Sequence, residues 1–143
     1  NHPDQMNDLR AHPQIIDSAI EEILRYDPPV QWTSRVGGEE IELAGQKIQR
    51  GDITLAAVGA ANRDPAVFND PDRFDLRRTE NRHLSFGAGP HFCLGATLAR
   101  MEAAIAIHSS ITRFPNLRRQ TRRVKWQKGL TFRGVKALNL ATT

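Results

Sequence analysis

The run FGAGPHFCLG, residues 86–95, decides how the rest of this 143-residue chain is read, because it surrounds the sole cysteine, Cys93. One cysteine cannot close an intrachain disulfide, and iron–sulfur clusters need several thiolates. A single cysteine can still act as a nucleophile or as one axial ligand to a metal, and the flanking residues favour the ligand. Gly87, Gly89 and Pro90 make a tight loop that refuses a helix. Directly after the cysteine, LGATLARMEAAIAI (94–107) reads as a long apolar helix. Cys93 is thereby placed at a helix N-terminus, where unpaired N–H groups and the positive dipole end favour an anionic sulfur. Gly95 has no side chain, so a flat ligand can lie close to the backbone there.

Working outward, residues 5–11 suggest a short helix ended before Pro13, and residues 14–26 an amphipathic helix. In the latter Ile15, Ile16, Ala19, Ile20, Ile23 and Leu24 recur at helical spacing, and Asp27-Pro28-Pro29 stops it. From Val30 the text becomes strand-like: QWTSRV, IELAG, KIQRGD and ITLAAV, punctuated by Gly37-Gly38, Gly45 and Gly51-Asp52. Short antiparallel strands are expected there. AANRDPAVFNDPDRF (60–74) predicts a short helix followed by a proline-rich meander. The cysteine helix runs to about Phe114, with Pro115-Asn116 as its stop, and the tail suggests a final hairpin around Gly129 and Gly134. That helix is apolar on nearly all sides, which suits the middle of a protein. Only two other substantial helices are available to cover it.

EEILRY, on the amphipathic helix, contains Glu22-x-x-Arg25, and residues three apart share a face. At about 100° per residue, Glu22 falls beside Ile15 at the edge of the apolar stripe, whereas Glu21 points away.

At 39% hydrophobic and 25% charged residues, the chain is composed like a soluble globular domain with a real core. No apolar stretch approaches the ~20 residues of a membrane span, and the polar opening NHPDQMND carries no signal-peptide pattern. A single cysteine is the usage of a reducing cytoplasm. Most of the net charge of +4 comes from Arg118, Arg119, Arg122, Arg123, Lys125 and Lys128. No nucleic-acid motif accompanies this run, which reads as a solvated surface or a site for an acidic electron-transfer partner.

The pattern Phe86-x-x-Gly89-x-x-x-Cys93-x-Gly95, with every fixed position filled, resembles the haem-binding loop of cytochrome P450 monooxygenases. The resemblance implies that Cys93 is the proximal ligand to the iron of haem b (iron protoporphyrin IX), a thiolate that favours O–O cleavage. It makes Phe86, Gly87 and Gly95 part of the cofactor loop, and His91 and Arg35 partners of the haem propionates. His83 matches a family position that is structural or propionate-adjacent. Glu22 and Arg25 correspond to a structural ion pair that an arginine of the meander completes, for which Arg73 and Arg78 stand in place. Substrate contacts are implied for Val30, Gln31, Trp32 and Thr33, and for Leu130 and Thr131 at the turn of the last hairpin.

The fold so implied is mainly α with small antiparallel β-sheets. Residues 1–143 would be the C-terminal segment of a single domain, without the central helix beside the oxygen site. The complete enzyme would insert one O2-derived oxygen atom into a small organic substrate, by hydroxylation or epoxidation. GAANRDPAVFNDPDRFD and RGVKALNL are similar to the polyketide and macrolide hydroxylases of the family; a fatty-acid-like substrate is the other class. Electrons would come from a ferredoxin or flavodoxin-type protein fed by an NAD(P)H-dependent reductase, and the remaining N-terminal part would be a further partner. The alternative is a catalytically silent haem-binding or fold-complementing fragment. Arg100, two turns beyond Cys93, is expected either to steer an acidic redox protein or to pair with a carboxylate of the fold.

Overall fold

Helix α2 (Ile16–Tyr26) is the element on which the other helices and the meander are laid. The computed structural model describes residues 2–121 and 123–142. The single helix expected from residue 14 begins instead as a 3₁₀ turn, Pro13–Ile15, and becomes α-helical at Ile16. Ahead of it lies α1 (Pro3–Ala11), opened by a proline in its first turn, where a missing N–H leaves no helical bond unmade. Ala19 of α2, Leu9 of α1, Leu76 of the meander and Ile111 of α4 (Ala96–Arg113) form one buried cluster. Ile15, Ile16, Phe74 and Ile107 close around it. The Ser18 hydroxyl donates to the Leu76 carbonyl at 2.7 Å, and the Gln5 side chain accepts from the Leu76 N–H at 2.9 Å, so the meander is held on both sides.

Between α2 and the meander, β1 (Trp32–Val36) pairs antiparallel with β4 (Ile53–Ala57), and β2 (Ile41–Leu43) with β3 (Gln46–Ile48). A one-turn helix α3 (Val58–Ala61) follows. Beyond α4, β5 (Arg118–Arg119) pairs with β8 (Leu140–Ala141), and β6 (Lys125–Trp126) with β7 (Val135–Ala137). Four helices and four two-stranded antiparallel sheets among the described residues make this a mainly α chain with small sheets. Arg122 of the basic run lies outside the described residues.

The ion pair read from ExxR is fully buried, and its partners come from the meander. Arg25 gives Nε and Nη2 to the Glu22 carboxylate at 2.7 and 2.9 Å. Its remaining N–H groups go to the carbonyls of Asn62, Pro71 and Arg73 at 2.9, 2.8 and 3.1 Å. Glu22 also accepts from Arg78 Nε, the Asp75 N–H and Asn81 Nδ2. Of the two candidate arginines, Arg78 therefore completes the pair by its guanidinium. Arg73 contributes only its carbonyl, because its own guanidinium turns outward toward Asp75 at 3.7 Å.

Glu21 does not simply face solvent. It accepts from Arg100 Nε and Nη2 at 2.6 and 2.8 Å and lies 3.1 Å from His83 Nε2, tying α2 to α4. The Arg100 hydrogen bonds hold the Glu21 carboxyl below its ordinary range. Burial pushes the His83 imidazole below its own range, and Glu21 only partly opposes this.

Helix α4 is less covered than its composition predicts. Leu98, Met101 and Ile105 share one face with Leu94 just ahead of the helix, and each is more than half exposed. Only Ala96 and Ile111 of α4 are buried. No helix among the described residues is long and apolar enough to cross a membrane.

Two outcomes are expected. Arg25→Ala strands the buried Glu22 carboxylate and should cost about 3–5 kcal/mol in urea unfolding. Arg25→Lys should recover less than half of that, since an ammonium cannot span a carboxylate and three carbonyls together. Second, unfolded His83 takes up a proton that the folded residue resists, so its contribution is complete above the unfolded imidazole value of about 6.5. It is lost as pH falls below that value, and the Glu21 contribution is lost only further down, through the carboxylate range. Unfolding free energy measured from neutral pH to about pH 5 should therefore decline, and His83→Gln, which still donates to Glu21, should flatten the decline. An unchanged slope would assign the titration to another group.

Candidate functional site

The cysteine loop is built by three devices. Its entry is fixed by Asn62, a fully buried residue just after α3. Asn62 Oδ1 accepts from the Leu84 N–H at 2.7 Å, and its Nδ2 donates to Ser85 Oγ at 2.9 Å. Ser85 Oγ in turn donates to the Leu24 carbonyl of α2 at 2.7 Å. The turn itself needs left-handed backbone at Gly87 (φ +74) and Gly89 (φ +67), a region that costs other residues about 1–2 kcal/mol each. A 3₁₀ turn at Gly89–His91 follows, and the Cys93 N–H returns to the Phe86 carbonyl at 2.9 Å. The exit is α4, capped by Gly95, with the Ala96 N–H bonded to the Cys93 carbonyl at 3.2 Å.

Cys93 is a free, exposed thiol. Next to it stand exposed apolar side chains, Phe92 and Leu94, and the open α4 face continues from them. Gly95 has an ordinary φ of −83°, so backbone conformation does not explain a glycine there. A Cβ at this position would lie 3.9 Å from the Cys93 sulfur, in ordinary van der Waals contact with it. A larger side chain would begin to cover the thiol that the loop otherwise leaves open. An uncovered soft donor beside a bare backbone and a broad apolar surface fits a flat, apolar metal complex such as haem.

Phe86, Gly87, His91, Cys93 and Gly95 are thus brought together in one loop, with His91 exposed at the end of the 3₁₀ turn. Arg35 stands on β1, exposed, with Nη1 on Thr33 Oγ1 and the Ser34 carbonyl at 3.1 and 2.8 Å. It borders an open cleft of about 600 Å³ shared with Val36, Ile41, Leu43 and Leu55. Of the two roles implied for His83, structural or propionate-adjacent, its contacts fit the structural one. Its Nδ1 accepts from the Ser85 N–H at 3.2 Å while Nε2 faces Glu21, so both ring nitrogens are taken and neither is left for a propionate. Arg100 is likewise engaged, its charge matched by Glu21 and its guanidinium 4.6 Å above the Phe86 ring.

Val30, Trp32 and Thr33 meet Leu130 and Thr131 around a smaller cleft of about 290 Å³. The two segments are joined by the Gln31 N–H to the Thr131 carbonyl at 2.7 Å and by a bridge between Val30 and Phe132. Gln31 departs from the expected lining. Its amide donates to the Pro28 carbonyl at 2.6 Å and its oxygen lies against Gly59, so it braces the segment from behind.

Two residues escaped the sequence reading. Asn62 carries no motif of its own within AANRDPAVFNDPDRF. Glu21 meets Arg100 across 79 positions, a pairing that helical geometry alone does not announce.

Comparison with known proteins is consistent along the chain. The cytochrome P450 family model matches residues 1–131. A biotin biosynthesis cytochrome P450 of Bacillus subtilis is 50% identical over 116 residues, covering 81% of this chain and 29% of the relative. A 6-deoxyerythronolide B hydroxylase of Saccharopolyspora erythraea is 44% identical over 136 residues, covering 94% and 34%. Among solved structures, P450BioI in complex with a hexadecenoic-acid-ligated acyl carrier protein superposes with a TM-score of 0.97 at 43% identity. That match covers 99% of this chain and 37% of the other. The chain therefore spans about a third of the length of the relatives it matches. With its cysteine loop, its buried Glu22–Arg25 pair and a family match over nearly its whole length, the chain belongs to the cytochrome P450 family.

Proposed function

We propose that this chain is the haem-thiolate portion of a monooxygenase, with Cys93 as the iron ligand. The observation that carries the reading is the exposed, free thiol at the head of α4, beside the bare backbone of Gly95 and the uncovered apolar stripe of the helix. When bound, haem b would supply a redox-active iron for transferring an oxygen atom from O2 to an organic substrate. The protein's share lies in holding and orienting. Phe86, Gly87 and Gly95 would bound the proximal face, and Leu94 and the α4 stripe would exclude water from it. His91 and Arg35, both exposed cations or donors, suit the two carboxylates of the cofactor; Arg35 would have to exchange its present bonds to Thr33 and Ser34. Val30, Trp32, Thr33, Leu130 and Thr131 would meet the substrate, with Gln31 as their brace.

The relatives favour two substrate classes, one through the macrolide hydroxylase and the other through the P450 solved with a fatty-acyl carrier protein. A small lipid-like or polyketide molecule, free or carrier-bound, is the proposed substrate. Electrons would be delivered by a ferredoxin or flavodoxin-type protein with an NAD(P)H-dependent reductase, in the cytoplasm. Because the chain spans about a third of its relatives' length, the activity is proposed for a protein that carries a whole P450 domain. A silent haem-binding or fold-complementing piece is the second reading.

In the protein carrying the whole domain, the reduced carbon-monoxide complex should show the absorption band of thiolate-bound haem. Cys93→Ala should abolish that band, and Arg35→Ala with His91→Ala should lower haem retention without shifting it. A histidine-type band in the parent protein would defeat the assignment.

A further inference from the structure

The cysteine loop has two stems, and one carboxylate holds both. The incoming stem carries His83, whose Nε2 is 3.1 Å from Glu21 Oε2. The outgoing stem is α4, whose Arg100 meets the same carboxylate through Nε and Nη2 at 2.6 and 2.8 Å. Because His83 Nδ1 accepts the Ser85 N–H, its proton sits on Nε2 and points at Glu21. Glu21 thus receives three donors from two segments that are not otherwise adjacent in sequence. Arg100, so fixed, lies with its guanidinium 4.6 Å from the centre of the Phe86 ring. Phe86 is the residue whose carbonyl takes the Cys93 N–H at 2.9 Å. A continuous line of contacts therefore runs from the Glu21 carboxylate through Arg100 and Phe86 to the backbone of Cys93.

We infer that Glu21 is a positioning residue for Cys93, its carboxylate clamping the two stems of the loop so that the sulfur is presented in one orientation. Its neighbour Glu22 serves a different end, since that carboxylate is enclosed by Arg25, Arg78, Asn81 and the Asp75 N–H and bonds to neither His83 nor Arg100. Two adjacent glutamates thus divide the labour on α2: Glu22 anchors the meander, and Glu21 the thiol loop. The bidentate, charge-assisted geometry to Arg100 is the kind that fixes direction as well as distance. The cation over the Phe86 ring transmits that direction to the loop backbone.

Glu21→Gln keeps the size and removes the charge, leaving one oxygen for three donors. In the haem-free full chain, exchange at the hydrogen-bonded loop amides of Gly87, Phe92 and Cys93 should accelerate about tenfold or more, the loss of one charge-assisted bond. Exchange within the buried α1–α2–meander cluster should stay at the parent rate. Arg100→Gln should match it, and the double variant should be no faster than either single one, because both remove the same link. Asp8→Asn, which breaks the exposed Arg77 pair away from the loop, serves as the control and should leave loop exchange unchanged. If Glu21→Gln does not fold, Arg100→Lys keeps the charge, loses the fork and carries the same test. Unchanged loop exchange, or an equal acceleration throughout α2 and α4, would overturn the clamp and leave Glu21 as a mere tie between helices. In the loaded protein the clamp also predicts a growing share of carbon-monoxide complex whose spectrum is that of haem without a thiolate ligand. That second readout rests on Cys93 being the iron ligand, whereas the exchange readout does not, so failure of the functional reading and failure of the clamp are separately visible.

Discussion

A carboxylate and a guanidinium removed entirely from water set the terms for this fold. Glu22 and Arg25 are both fully buried, and transferring two such charges into the interior is tolerable only when every donor and lone pair is matched. Here the matching is nearly saturated. Arg25 uses its fork on Glu22 and its remaining N–H groups on carbonyls of Asn62, Pro71 and Arg73. Those carbonyls belong to a segment with almost no regular secondary structure. The meander has little sheet or helix of its own to define its path, so the buried guanidinium acts as its template. An aliphatic pair of similar volume would fill the space and leave those carbonyls without donors.

Once the meander is fixed, the placement of the cysteine loop follows from it. Asn62 lends its carbonyl to Arg25 and its side chain to Leu84 and Ser85, so one residue belongs to both networks. Phe68, buried beside the Arg25 guanidinium at 5.3 Å, adds an aromatic wall to the same junction. Order thus passes from α2 to meander to loop through hydrogen bonds to backbone groups. Such bonds specify position more sharply than apolar contact, because their strength falls steeply with angle.

The parts of this architecture that could be read from sequence are those carried by local spacing. ExxR put Glu22 and Arg25 on one helix face at the edge of the apolar stripe, and glycines at 87 and 89 announced a turn that the φ values bear out. The short strands were legible from their glycine punctuation. Less legible were contacts between distant segments, where side-chain direction matters more than residue type. Arg73 and Arg78 are both plausible partners by distance along the chain, yet only Arg78 points inward, since Asp75 draws Arg73 outward. For His83, structural and propionate-adjacent roles were equally open to the sequence, and only the contacts of both ring nitrogens tell them apart. Gln31 sits in an apolar-flanked, strand-like run, but an amide able to satisfy the Pro28 carbonyl is drawn back to it.

The apolar face of α4 follows from the same reasoning about what each position must satisfy. Leu94, Leu98, Met101 and Ile105 recur at helical spacing and remain open, while Arg100 and Ile111 on other faces are engaged with α2 and the core. A helix with apolar residues on opposite sides needs two partners, and α2 supplies only one of them. The uncovered side begins at the cysteine itself. An exposed thiol in water is chemically vulnerable, and an exposed leucine stripe is a liability, but each answers the other when a single flat apolar group covers both. The residues of α4 therefore divide by face rather than by turn, with Leu98, Met101 and Ile105 uncovered on one side. Ala96 and Ile111 mark where the protein side is already satisfied.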